Sequence, residues 1–105
     1  MSEDRKRDNR FRTVEKLLYI HHDCEKTRYP QLDKAIDRIR DDKYYPIIEM
    51  RYFRKMKMDE IIEKLPYSRK TVYDKRNKLI DRIIDVMYAD DIMKEIMETK
   101  SIQNR

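Results

Sequence analysis

The chain has 105 residues, which suits a single domain, and a formal net charge of +5. Only 39% of its residues are hydrophobic and 45% are charged, so its core must be small. The absence of glycine excludes glycine-rich phosphate loops, Rossmann turns and tight two-residue hairpins. Apolar residues nevertheless recur at helical spacing, and the sequence therefore predicts a small all-α domain.

Several absences bear on where the protein works. No apolar run approaches the roughly 20 residues that a membrane-spanning helix needs, so we expect no membrane association. The first residues are charged and lack the apolar stretch of a signal peptide. The single cysteine, Cys24, cannot form an internal disulfide. Together these features predict a cytoplasmic protein.

The N-terminal part of the chain predicts an arm followed by two helices. Residues 1–10 are highly charged and are expected to form a flexible basic arm. Helical periodicity begins at Phe11 and should end shortly before Pro30, because proline disfavours a helical conformation at the residue before it. A second amphipathic stretch covers residues 32–39. Residues 11–43 are therefore predicted to form a pair of N-terminal helices.

Residues 44–88 predict three further helices. Pro46 suits the first turn of a helix over residues 46–54, since its missing N–H would have no partner there. Phe53 is expected to face the core, together with Ile47, Ile48 and Met50. A short helix over residues 58–65 follows, with Ile61, Ile62 and Leu65 on its inner side.

A longer helix is predicted to begin after Ser68. Proline at position 66 breaks the preceding helix, and the Ser68 hydroxyl can accept a hydrogen bond from an unpaired amide one turn further on. The inward-facing residues of this helix are expected to be Val72, Leu79, Ile80, Ile83, Val86 and Met87.

Residues 89–105 are predicted to form a C-terminal helix and tail. The helical pattern covers residues 90–97 and places Ile92, Met93, Ile96 and Met97 on one side. Since nothing in the sequence is obviously available to cover this side, residues 84–99 are interpreted as a dimer interface or as a segment that docks on the N-terminal helix.

The pattern over residues 58–87 is typical of a DNA-binding helix-turn-helix. In that motif a short helix braces a second helix, whose first turns contact base edges in the major groove. Residues 44–84 hold 11 basic and 6 acidic side chains, so this segment alone carries a charge of +5. The face opposite Val72 should present Lys70, Asp74, Asn77, Lys78 and Asp81, with Arg69, Thr71 and Tyr73 beside it.

These residue types match the chemistry of DNA. Arginine and asparagine suit bidentate contacts to guanine and adenine, whereas threonine and tyrosine can reach phosphates or a thymine methyl group. Asp74 could accept a hydrogen bond from cytosine or orient a neighbouring arginine. Salt-dependent affinity for the phosphate backbone of DNA is expected from Lys64, Lys75, Lys78 and Arg82.

Residues 45–53, 58–65 and 68–73 together resemble region 4 of sigma factors, and most closely the phage late-gene activators of the ArpU and RinA type. The resemblance implies a double-stranded DNA-binding transcription regulator of phage or mobile-element genes, working in a bacterial host cell as a homodimer or alongside RNA polymerase. By position it assigns base contacts to Arg69, Lys70, Tyr73, Asp74 and Asn77, and backbone contacts to Thr71 and Lys78.

The sequence departs from that family at three positions. Pro66 stands where glycine is common, so the turn cannot use a positive φ there. Ile62 replaces a small alanine, and Lys57 replaces the serine or threonine that usually caps the bracing helix. These departures affect the expected angle between the two helices more than the class of motif.

The sequence is also compatible with functions other than DNA binding. A solvated amphipathic helix, a sigma-like or anti-sigma factor that binds polymerase, and a small terminase subunit that assembles into rings all remain open. The neighbouring His21, His22, Asp23 and Cys24 suggest a metal site, but consecutive histidines diverge on a helix and a partly buried histidine with a buried cysteine is favoured. No catalytic set is spaced for chemistry, so no enzyme activity and no cofactor are expected.

Overall fold

The computed structural model describes residues 2–21 and 29–103. These residues contain no strand, so the predicted all-α class is confirmed. Within these ranges six α-helices follow one another, and a π-helical turn continues the third: α1 Ser2–His21, α2 Pro30–Ile39, α3 Tyr45–Ile48, the π turn Glu49–Phe53, α4 Met58–Lys64, α5 Arg69–Met87 and α6 Ala89–Gln103.

The larger hydrophobic cluster lies where α1, α2 and the second half of α5 pack together. We call it the first cluster. Its members repeat at three- and four-residue spacing along each helix, which is why all three helices bury one stripe. The buried side chains are Val14, Leu18, Leu32, Ala35, Ile36, Ile39, Ile48, Tyr52, Leu79, Ile80, Ile83 and Ile84.

A second cluster lies under the connection between α4 and α5. It is built by Ile47, Met50, Met56, Met58, Ile61 and Val72. Ile61 and Val72 are fully buried and bring the two helices to one small core. The predicted inward face of α5 is therefore confirmed at its start by Val72 and further on by Leu79, Ile80 and Ile83.

The first turns of α1 differ from the expected flexible arm, because the helix already begins at Ser2. Arg7 forms an ion pair with Asp81 on α5. The Arg10 guanidinium lies 4.8 Å from the ring centroid of Tyr88, which follows α5 directly. These contacts give the charged turns partners on α5, which residue composition alone could not indicate.

The expected helix over residues 46–54 is present as α3 followed directly by the π turn, so only its first part is α-helical. Because a π turn bonds residue i to i+5, it holds more residues than an α turn and changes which side chains face inward. Tyr52 is fully buried as a result, while Phe53 is only partly buried. Phe53 packs against the first cluster as expected, whereas the sequence did not indicate the buried Tyr52.

The α6 helix contains the predicted residues 90–97 and leaves most of their apolar stripe exposed. Met93, Ile96 and Met97 are 56%, 49% and 63% exposed. Ile92 is half-buried and lines a cleft of about 450 Å³ together with Arg7 and other side chains of α1 and α5. The beginning of α6 thus lies near the N-terminal helix, whereas its later turns present apolar side chains to solvent.

The segment from His21 to Cys24, interpreted from the sequence as structural rather than metal-binding, can be followed only at His21. His21 is partly buried, bonds to Asp33 of α2 and lies 5.6 Å from the ring of Phe53. His22, Asp23 and Cys24 lie outside the described residues. Within the described ranges, no three His, Cys, Asp or Glu side chains are grouped to hold a metal ion. No helix in those ranges is long and apolar enough to cross a membrane.

Candidate nucleic-acid interface

The connection from α4 to α5 is a short extended segment that ends in a helix cap. Leu65 and Ser68 both have extended backbone, with ψ of 147° and 160°. Among the described residues only Lys55 has a positive φ, so the connection passes Pro66 without the left-handed residue that glycine usually provides. The Ser68 hydroxyl accepts from the Thr71 N–H at 3.2 Å and donates to the Thr71 hydroxyl at 3.0 Å. The predicted Ser68 cap is confirmed.

The start of α4 is capped differently. Lys57 offers no side-chain acceptor, and its backbone N–H instead donates to the Glu60 carboxylate at 3.2 Å. Ile62 is only partly buried, at the edge of the second cluster, so its bulk does not occupy the centre of the α4–α5 contact. The two departures at Lys57 and Ile62 are therefore accommodated locally.

Arg69 is held by a residue that the sequence did not single out. Its Nη2 atom donates to Asp59 Oδ1 at 2.8 Å, which ties the first residue of α5 to the first turn of α4. This hydrogen bond, and then the charge of the carboxylate, raise the pKa of Arg69. Both side chains are largely exposed, so the contact orients Arg69 while leaving it at the surface.

The predicted outer face of α5 is exposed, although its members are partly engaged with each other. Lys70, Asp74, Asn77 and Lys78 are all exposed. Asp74 lies 3.5 Å from Lys78, its partner one turn on, and therefore does not orient an arginine. Thr71 and Tyr73 are half-buried beside this face, which suits contacts at its edge rather than its centre.

Two residues of the predicted outer face, Asn77 and Asp81, have intramolecular partners that limit which contacts they can make. Asn77 Oδ1 accepts from Arg76 Nε at 2.7 Å, so a bidentate contact to adenine would first require Arg76 to release this oxygen. Asp81 is paired with Arg7 and so belongs to the α1–α5 contact rather than to a free outer face. Lys70 is an exposed cation of this face.

The four lysine and arginine residues expected to contact the DNA backbone are Lys64, Lys75, Lys78 and Arg82, and they fall into two groups. Arg82 donates to Asp42 at 2.9 Å and to the Arg38 carbonyl at 3.1 Å, which uses its guanidinium to fix the α2–α3 loop. Lys64 is exposed, and Lys75 lies 5.0 Å from the ring centroid of Tyr44. Lys64 and Lys78 are thus exposed and Lys75 is half-buried, whereas the Arg82 guanidinium is engaged with Asp42 and Arg38.

A hydrogen-bonded cluster, which we call the buried polar group, lies beneath α5 and consists of Tyr52, Glu15 and Arg76. The Tyr52 hydroxyl donates to Glu15 Oε2 at 2.7 Å and accepts from Arg76 Nη1 at 3.4 Å, while Arg76 and Glu15 are 3.6 Å apart. Burial, and then the hydrogen bond to Glu15, raise the pKa of Tyr52. This group joins α1, the π turn and α5, and it positions Arg76 against Asn77. Helical periodicity cannot indicate such contacts, since they link residues far apart in sequence.

A family model described as "Protein of unknown function (DUF1492)" matches residues 5–85 of the chain. The matched segment runs from the first turns of α1 to near the end of α5 and so includes the whole candidate interface. No curated protein and no solved structure matched the chain.

Proposed function

The chain belongs to the DUF1492 family, and we propose that it is a sequence-specific, double-stranded DNA-binding regulator of transcription. In this proposal α4, residues 65–68 and α5 act as a helix-turn-helix, and α5 enters the major groove. The groove is about 12 Å wide and accepts an α-helix, and the first turns of that helix reach the base edges.

The division of α5 into two faces is the observation that carries the proposal. Val72 and Ile80 are buried, whereas Lys70, Asp74 and Asn77 are exposed in the first turns. This exposed face offers both hydrogen-bond donors and acceptors, as base recognition requires. A purely basic face would instead favour binding to phosphates without regard to sequence.

Arg69 and Lys70 are the first residues that this helix would present to DNA. The Asp59 carboxylate holds the Arg69 guanidinium in one orientation, and a pre-oriented fork suits a bidentate contact to guanine. Lys70 has no such partner among the described residues and would serve as a longer-range contact to a base or phosphate. The two residues thus support different parts of the same interface.

The test begins with selection of bound duplexes from a random library. Fluorescence anisotropy then compares the selected duplex with a scrambled one over a salt series. We expect tight, strongly salt-dependent binding of the selected duplex. Arg69→Ala should reduce the preference for that duplex by about 10-fold or more, and Lys16→Ala, at an exposed position of α1, should not. Absence of duplex binding, or equal binding of all sequences, would refute the proposal.

A homodimer is the second part of the proposal. DNA-binding proteins of this kind often use a twofold pair of recognition helices to contact two half-sites. The exposed Met93, Ile96 and Met97 on α6 offer an apolar stripe that a second copy could cover. Control of phage or mobile-element genes and contact with RNA polymerase come from the resemblance to the ArpU and RinA activators, and we retain them as predictions.

A further inference from the structure

An open cleft lies beside the exposed face of α5, between that helix and the α2–α3 loop. Its volume is about 390 Å³, and its charged and aromatic lining comprises Asp42, Lys43, Tyr44, Lys75, Lys78 and Arg82. Lys75, Lys78 and Arg82 follow one another at three- and four-residue spacing, so they share one flank of α5. The cleft therefore extends from the exposed face of α5 to the α2–α3 loop.

The cleft has an excess of positive charge. The Nζ atoms of Lys43 and Lys75 lie 5.1 Å and 5.0 Å from the ring centroid of Tyr44. Among the described residues, neither lysine has a carboxylate partner within 4.0 Å, whereas the Asp42 carboxylate is neutralised by Arg82. Two ammonium groups thus approach one aromatic ring without a counter-ion, an arrangement that favours binding of an anion.

The loop that carries Lys43 is fixed before any ligand binds. The Asp42 carboxylate accepts from the Tyr44 N–H at 2.8 Å, and the Asp42 carbonyl accepts from the Tyr45 N–H at 3.0 Å. The Tyr44 ring packs against Tyr67 at 5.1 Å, which connects the loop to the segment between α4 and α5. A site held in this way loses little conformational entropy when it binds.

We propose that this cleft binds a phosphodiester of the DNA backbone at the edge of the groove that α5 enters, with Lys43 and Lys75 as the phosphate contacts. The proposal rests on the proposed function and adds the α2–α3 loop to the interface. Phosphate contacts fix the position of a protein on DNA without sequence preference, and the loop would thereby set how α5 lies in the groove. Lys78, on the same flank, would connect the cleft to the base-contacting face.

The experiment measures duplex binding over a salt series for four proteins: the unmodified chain, Lys43→Gln, Lys75→Gln and the double variant. Each lysine that contacts a phosphate contributes about one unit to the slope of log affinity against log salt. We expect each single variant to lower the slope by about one, the double variant by about two, and the preference between sequences to stay unchanged. Lys16→Gln is the matched control, and circular dichroism checks that every variant is folded.

A second measurement identifies the phosphate. Methylphosphonate linkages, which carry no charge, are placed one at a time along the selected duplex. The unmodified protein should lose affinity at a particular linkage, and the double variant should show no further loss at that linkage. Loss of the same size in both proteins would overturn the cleft assignment. A titration followed by the amide NMR signals of Lys43 and Tyr44 gives a second refuting outcome. If inorganic phosphate shifts these signals to completion at the same concentrations as the duplex does, the cleft is a site for free anions and the assignment is overturned.

The outcomes separate the two proposals. If the unmodified protein fails to bind any duplex, both are refuted. If it binds a selected duplex and the lysine variants retain its full salt slope, the proposed function stands and the cleft is not a backbone contact.

Discussion

Replacing Tyr52 with phenylalanine tests the buried polar group beneath α5. The change removes only the hydroxyl, which bonds to Glu15 and Arg76, and keeps the ring that fills the first cluster. A hydrogen bond to a charged partner contributes about 1.5–3 kcal/mol. Glu15 is 25% exposed and still faces Arg76, so water and the remaining ion pair should limit the loss to about 1.5 kcal/mol.

The expected cost corresponds to a fall in Tm of about 6–12 °C for a domain of this size. Thermal and urea unfolding followed by circular dichroism measure it directly. Tyr29→Phe is the control, because that ring is 37% exposed and belongs to neither cluster.

The same variant should also change how stability depends on pH. Burial raises the pKa of Tyr52 in the folded protein, whereas the unfolded chain releases this proton near pH 10. Above about pH 10 the folded state therefore binds more protons than the unfolded state, and the free energy of unfolding falls as pH rises. The slope from this one group approaches about 1.4 kcal/mol per pH unit, and Tyr52→Phe should remove it.

Urea titrations from about pH 7 to about pH 11 compare the two proteins across this range. Parallel decline of the free energy of unfolding in the unmodified protein and in Tyr52→Phe would refute the assignment of a buried, proton-retaining Tyr52. Equal stability of the two proteins near pH 7 would refute the hydrogen-bonded group itself.

Three other outcomes follow from the interface. Ser68→Ala removes the acceptor for the Thr71 amide and should cost about 1 kcal/mol, or about 4–8 °C in Tm, whereas Ser68→Asp should keep most of the stability; thermal unfolding distinguishes them. Asp59→Ala should relax the sequence preference contributed by Arg69 without changing the salt slope, and Asp59→Asn should recover part of that preference. An unchanged preference in Asp59→Ala would show that Asp59 does not orient Arg69 for DNA. A chain ending at Tyr88 lacks α6 and should sediment as a monomer if the full chain is a dimer, while an unchanged dimer would place the interface elsewhere.

The sequence predicted those features that depend on neighbouring residues. The Ser68 cap, the break before it and the buried stripe of α5 follow from local spacing and from the hydrogen-bonding capacity of one side chain. The predicted exposure of Lys70 and Lys78 follows from the same periodicity, since residues opposite a buried stripe face solvent.

Features that depend on distant partners were not predicted. Periodicity with an α-helical repeat cannot identify Tyr52, because the π turn changes which residue faces inward. Composition likewise cannot reveal that Asp81 is paired with Arg7, or that Arg82 is committed to the α2–α3 loop. Charged residues are abundant in this chain, so the choice among possible ion pairs is made only when the helices pack.

Ile47 and Ile48 are adjacent in sequence, yet one lies in the second cluster and the other in the first. The α5 helix spans the two clusters in the same way, with Val72 in one and Ile80 in the other. Opening either cluster therefore disturbs an element on which the other depends, and we expect the two small cores to unfold as one cooperative unit. Met93, Ile96 and Met97 of α6 are exposed and belong to neither buried cluster, so we expect α6 to open locally at a lower cost than either cluster.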